Sequence, residues 1–153
     1  MAESLPSNAN LLLVDDEENI LRSLKRILRK EPYDIRTATS GEDALALLNE
    51  QKFDLVISDA RMPGMDGPTL LAEIKKKWPW CIRILLTGYA DIDSTIKAIN
   101  EGQIYRYISK PWDDEELKLV IRQALAFQYS ERRRLALEKL TRKQNKELQV
   151  LNA

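Results

Sequence analysis

Four short apolar runs in this chain end in residues able to do chemistry. Leu11-Leu12-Leu13-Val14 leads into Asp15-Asp16, and Leu55-Val56-Ile57-Ser58 leads into Asp59. Ile82 to Leu86 leads into Thr87-Gly88, and Tyr105 to Ile108 leads into Ser109-Lys110-Pro111. Clustered carboxylates repel one another unless a cation joins them. A cluster of hard oxygen ligands suits Mg²⁺, which binds through one or two carboxylates and phosphate oxygens. A carboxylate can also act as a nucleophile and accept a phosphoryl group. Such a transfer needs its oxygens neutralised and its partners held in line, work that a lysine and a hydroxyl can share. The plainer alternative makes these acids helix caps: Asp16 for a helix beginning near Glu17, and Asp66 for one after Pro68. That accounts for single aspartates but not for the whole set.

The elements that carry these residues alternate. The runs Leu11–Val14, Leu55–Ile57 and Ile82–Leu86 are nearly continuous, as strands buried on both faces are; Ile35–Ala38 and Tyr105–Ile108 complete a set of five. Between and after them lie 3.6-residue patterns: Ile20, Leu21, Leu24, Ile27, Leu28; Ala44, Leu45, Leu47, Leu48; Leu70, Leu71, Ile74; Ile92, Ile96, Ile99; and Leu117, Val120, Ile121, Ala124, Leu125. Ser40 stands as an N-cap, and Asp113 with Glu116 resembles a capping box. A strand and a helix in five-fold alternation predict an α/β fold, a doubly wound parallel sheet with helices on both faces. In such sheets ligands bind outside the carboxyl ends of the strands, where the aspartates, Thr87 and Lys110 all fall.

Composition closes several other routes. The chain has no histidine, which excludes a Ser-His-Asp or Cys-His nucleophile, a His-ligated zinc site and a phosphohistidine within it. Cys81 is the single cysteine, so no internal disulfide can form, and a small buried thiol is its expected role. No apolar run approaches the ~20 residues of a membrane-spanning helix, and Met1 to Asn8 does not read as a secretory signal. A cytoplasmic protein is expected.

The last helix has no stop signal. Leu135, Leu137, Leu140, Leu148 and Leu151 continue among charges, in a heptad interrupted by Thr141, Gln144 and Asn145. Between Ser130 and Lys146 the bases Arg132, Arg133, Arg134, Lys139, Arg142, Lys143 and Lys146 face only Glu131 and Glu138. Such a run is expected to be a solvated helix face, and direct nucleic-acid binding is not expected. The division read from the sequence is a tail over residues 1–8, one domain over 9–127 and a helical extension over 128–153. That extension is a candidate coiled coil or connector to an output domain.

Leu12-Leu13-Val14-Asp15-Asp16-Glu17, Asp59-Ala60-Arg61-Met62-Pro63-Gly64-Met65-Asp66-Gly67, Leu86-Thr87-Gly88 and Tyr107-Ile108-Ser109-Lys110-Pro111 together resemble the receiver domain of bacterial two-component response regulators. The resemblance covers roughly residues 9 to 127, with four motifs in the right order and spacing. It implies the flavodoxin-like strand order 2-1-3-4-5. It implies Asp59 as phosphoacceptor, and Asp15, Asp16, Asp59 and the backbone carbonyl of Arg61 as ligands of Mg²⁺, with Mn²⁺ as a substitute. It implies Thr87 and Lys110 as the groups that contact the phosphoryl oxygens, Tyr107 as an aromatic switch and a cis peptide between Lys110 and Pro111. A sensor histidine kinase or phosphotransfer protein would supply the phosphoryl group. The face made by the fourth helix, fifth strand and fifth helix would pass the change to a homodimer partner or output domain. Glu101-Gly102-Gln103-Ile104 departs from the pattern, and Arg61 and Tyr89 are bulky at positions beside the acceptor that vary in the family.

Two rivals follow from other classes. A pseudo-receiver would serve only for binding or dimerisation, and would not bind Mg²⁺ or beryllofluoride. An aspartate-nucleophile phosphatase would want Asp-x-Asp after the first strand, where this chain has Asp15-Asp16-Glu17. Trp78-Pro79-Trp80 and Trp112 are expected to pack loops, with partner anchoring as the alternative.

Overall fold

In a computed structural model the strands are β1 (Ala9–Val14), β2 (Tyr33–Ala38), β3 (Leu55–Asp59), β4 (Ile82–Thr87) and β5 (Arg106–Ser109). The intervening helices are α1 (Glu18–Leu28), α2 (Gly41–Glu50) and α3 (Gly67–Lys77), and a C-terminal helix spans Asp114–Leu151. The structure describes residues 8–88, 93, 96, 97, 100 and 104–151. Most of the expected fourth helical stretch, together with Tyr89 and Glu101 to Gln103, lies outside the described residues. Asp93, Ile96, Lys97 and Asn100, which are described, are helical.

The five strands form one sheet in the order β2-β1-β3-β4-β5, every neighbouring pair parallel. The core lies in two layers because alternate side chains leave opposite faces of a strand. Leu11, Leu13, Leu55, Ile57, Ile84 and Leu86 meet α1 and the C-terminal helix on one face. Leu12, Val14, Val56 and Leu85 meet α2 and α3 on the other. A strand covered on both sides has no polar side to show, so β1 and β3 read as apolar runs. β5 stands at the sheet's edge, and only Ile108 of its residues is buried.

Local signals set the helix starts. Ser40 accepts from the Asp43 amide at 3.1 Å and begins α2. Asp66 accepts from the Thr69 amide at 2.9 Å and begins α3, with Pro68 in its first turn. Asp113 accepts from the amides of Glu115 and Glu116. The N-cap of α1 is Glu17, without a side-chain cap bond, so the alternative reading of Asp16 as a helix cap does not hold.

The C-terminal helix is continuous through the point where the compact body ends. Leu117, Val120, Ile121, Ala124 and Leu125 are buried against the sheet. Gln128, one turn further, is also buried and donates its side-chain amide to the carbonyls of Trp80 (3.1 Å) and Asp54 (3.4 Å). Arg132 reaches the Asp54 carboxylate at 3.3 Å, and the other oxygen of that carboxylate accepts the Asn10 amide at 2.8 Å. These contacts hold the helix to the amino ends of the sheet. Trp78 and Trp112 are half-buried against the core, whereas Trp80 is exposed.

Replacing Gln128 with Ala removes a buried donor shared by two carbonyls. The Asp54 carbonyl keeps the Ile82 amide at 3.0 Å, so the cost falls toward the lower end of the ~1–3 kcal/mol range for a broken buried hydrogen bond. Urea unfolding followed by circular dichroism should show that loss; an unchanged midpoint would mean the contact adds nothing to stability.

Candidate functional site

The carboxyl ends of β1, β3, β4 and β5 lie side by side, and the ladder sets their register. Asp59 pairs with Leu86, and Thr87 pairs with Ser109. Beyond the last pair, the Lys110 amide donates to the Thr87 carbonyl at 2.9 Å, which carries Lys110 back over the sheet edge. The peptide bond between Lys110 and Pro111 is cis.

From there the Lys110 ammonium donates to Asp59 Oδ1 at 2.8 Å and to Asp15 Oδ2 at 3.2 Å. Three segments far apart in sequence are thereby joined by one cation. Asp15 is fully buried, Asp59 is nearly so, and Asp16 is exposed at the rim. Asp15 Oδ1 also accepts the Glu17 amide at 2.9 Å. Thr87 is buried, and its hydroxyl donates to the Gly88 carbonyl at 3.2 Å. Arg61 lies two residues past Asp59 with its side chain exposed. Tyr107 is 45% exposed and lines a groove of about 280 Å³ together with Trp112 and Glu116.

The electrostatics follow from burial. Burial pushes the Asp15 carboxyl above its ordinary value; the Glu17 amide and Lys110 oppose that rise, and the neighbouring charge of Asp59 adds to it. Burial works against the Lys110 ammonium, but its hydrogen bond to Asp59 and the charges of Asp15 and Asp59 outweigh it and leave its pKa raised. The set Asp15, Asp16 and Asp59 offers one oxygen each within 4.8 Å of one another. Three carboxylates against one ammonium leave two negative charges, and a hard divalent cation fits that deficit and donor set.

Two glycines shape the loop after β3. Gly64 has φ +76°, a left-handed conformation in which side chains are strained. Gly67 donates its amide to the Ala60 carbonyl at 3.0 Å, and a Cβ there would run into the carbonyl oxygen of Asp59. Both belong to the motif that follows Asp59, but their steric role is not legible in the sequence. Nor is the Asp54–Gln128–Arg132 contact, whose single signal is a glutamine in phase with the buried positions 121, 124 and 125. Cys81 is fully buried, and burial raises its thiol to about 12, so it is inert.

Residues 11–122 match the response regulator receiver domain family, and the chain belongs to it. It is 43% identical over 117 residues to the transcriptional regulatory protein GlrR of Escherichia coli K12, covering 76% of this chain and 26% of GlrR. It is 39% identical over 120 residues to the hydrogenase transcriptional regulatory protein HoxA of Cupriavidus necator, covering 78% of this chain and 25% of HoxA. The chain thus spans about a quarter of the length of these curated relatives. Among solved structures it superposes on the signal receiver domain of an HD domain-containing protein from Pseudomonas fluorescens Pf-5 with a TM-score of 0.80 at 52% identity, over 86% of this chain and 96% of that one. Receiver domains are signalling modules. Among the described residues no helix is long and apolar enough to cross a membrane.

Asp15 gives a test with a definite sign. Its folded pKa is raised, so its charge costs stability above that pKa and costs nothing once pH falls below its unfolded value. With metal chelated, Asp15→Asn should melt higher than the wild type at neutral pH, and the gap should close as the pH falls. A variant that melts lower at neutral pH would mean that the Lys110 contact outweighs the burial of charge.

Proposed function

We propose that the chain is a phosphorylation-dependent signalling switch that accepts a phosphoryl group on Asp59. The observation that carries this reading is the Lys110 ammonium shared between Asp59 and Asp15, beside a buried Thr87 hydroxyl. The donor is a phosphohistidine on a sensor histidine kinase or phosphotransfer protein, since this chain has no histidine. An oxygen of the Asp59 carboxylate attacks the phosphorus. The phosphorus–nitrogen bond breaks, its electron pair stays on the imidazole nitrogen, and an acyl phosphate remains on Asp59.

Asp15, Asp16, Asp59 and the Arg61 carbonyl are the groups that would hold Mg²⁺, or Mn²⁺ in its place. When bound, the ion supplies positive charge to the transferring oxygens. Asp15 is kept in position by the Glu17 amide. Lys110 gives up its bond to the Asp59 carboxylate and contacts a phosphoryl oxygen. The Thr87 hydroxyl turns from the Gly88 carbonyl to a second oxygen. The space it leaves admits Tyr107, whose exposed ring in this structure suits the unphosphorylated state. The activity is self-phosphorylation followed by slow self-dephosphorylation, not turnover of a substrate.

The surface formed by the segment around Ile96, β5 and the C-terminal helix then differs between two populated arrangements. Residues 9–127 act as the receiver and residues 128–153 carry the change onward, to a second copy or an output domain. The relatives' names point to output of the transcription-regulating or HD-domain kind, and the cytoplasm is the setting.

The test is phosphotransfer from acetyl phosphate or a kinase in the presence of Mg²⁺. Asp59→Asn should take up no label, and labelling at the wild-type rate would move the acceptor elsewhere. Thr87→Ala should still take up label but lose the change in Tyr and Trp fluorescence that beryllofluoride causes in the wild type.

A further inference from the structure

The C-terminal helix leaves the body with an apolar hollow beside it and a line of cations beyond. Trp80, Phe127 and Leu135 are 39%, 47% and 51% exposed, and with Pro79 and Ile82 they line a groove of about 400 Å³. Exposed apolar side chains scattered singly are ordinary, whereas a contiguous group marks an interaction surface. The groove lies where β4 begins, at the end of the sheet away from Asp15, Asp59 and Lys110.

Beyond the groove the same side of the helix is basic. At about 100° per residue, Gln128, Leu135, Lys139, Arg142 and Lys146 fall in a strip about 60° wide. Between Leu135 and Lys146 no other residue enters that strip; Lys143 flanks it on one side and Glu138 on the other. Glu138 is held by Arg134 at 2.6 Å, and Arg132 is held by Asp54 at 3.3 Å. Among the described residues, Lys139, Arg142 and Lys146 have no acidic partner. Like charges three and four residues apart weaken a helix, and an anion lying along the row removes that cost.

We propose that the groove and the row together dock an acidic helix of a partner protein. One large apolar side chain of that helix fills the groove, and its carboxylates lie along Lys139, Arg142 and Lys146. The proposal goes beyond the switch described above and does not depend on which residue is phosphorylated. Three observations select this occupant. The unpaired cations call for anions, and their spacing is that of one side of a helix, so carboxylates repeating every three or four residues on a second helix meet them in step. The groove has aliphatic walls, and its two rings are already engaged: Trp80 by Lys52 at 6.0 Å and Phe127 by Tyr105 at 5.4 Å. A single-stranded nucleic acid wants open ring faces on which bases stack, whereas a Phe or Leu side chain needs only apolar walls. Leu137, Leu140 and Leu148 lie on the other side of the helix, so resting on lipid through them would turn the groove and the row away from the surface.

The probe is a fluorescein-labelled, alanine-based helical peptide. It carries one Phe, and Glu at the spacing that Lys139, Arg142 and Lys146 have from Leu135, and it is made in both chain directions. Its anisotropy is read against the full chain at low salt. One direction should bind saturably, and added salt should weaken it. Changing the Phe of the peptide to Ala should weaken binding about tenfold, and Leu135→Ala in the protein should narrow that difference. Lys139→Glu combined with Arg142→Glu should weaken binding about tenfold, whereas Lys76→Glu, on α3 at the other face of the sheet, should leave it unchanged. No saturable binding in either direction, or equal loss with Lys76→Glu, would overturn the proposal. So would tighter binding of single-stranded DNA or of anionic vesicles through the same row, or sedimentation showing the groove already filled by a second copy. Acetyl phosphate labelling is a separate readout, and its absence while the peptide binds counts against the acceptor assignment alone.

Discussion

One lysine holds the carboxyl edge of this sheet together. Without the Lys110 ammonium, Asp15 and Asp59 would be two buried negative charges facing each other, an arrangement each opposes in the other. The lysine reaches both from the position just past the last β4–β5 pair, Thr87 with Ser109, where its own amide is fixed to the Thr87 carbonyl. Even so, the edge stays short of positive charge by two units. An edge with that deficit and those hard oxygen donors fits a divalent cation. That is a useful property in a switch, and it explains why stability and chemistry pull in opposite directions at Asp15.

Much of this was legible in the sequence, for identifiable reasons. Strands β1, β3 and β4 announce themselves as nearly continuous apolar runs, broken in β4 by Arg83, because both their faces are covered. The residues that follow them stand at the edge where an open parallel sheet binds ligands. Ser40 and Asp66 mark helix starts through short-range bonds that need no knowledge of the fold. What could not be read depends on distance in sequence. The contact between Asp54 and Arg132 joins parts of the chain that only the finished fold brings together, and Gly67 is needed because another segment's carbonyl passes close by. The plainer alternative for Asp16, a helix cap, fails because Asp15, turned inward, takes the nearby amide of Glu17 and Glu17 itself occupies the cap position.

The two ends of the sheet have different tasks. At the carboxyl end, acidic groups and a lysine gather into a candidate metal site. At the amino end, Gln128 and Arg132 bind the C-terminal helix to the segments that open β3 and β4. Those same strands carry Asp59 and Thr87 at their other ends. The helix is thus attached to the strands that bear the site, and its direction is a property of the body rather than of the helix alone.

A helix gripped in this way turns length into angle. Each residue inserted between Gln128 and Leu137 would rotate everything beyond it by about 100°, and a deletion would do the same in the opposite sense. Seven residues restore the original bearing to within about 20°, whereas two turn the leucines almost to the opposite side and five leave them about 140° away. Related chains that keep the same grip are therefore free to lengthen this segment by whole heptads, and a change of another size alters which way the signal faces.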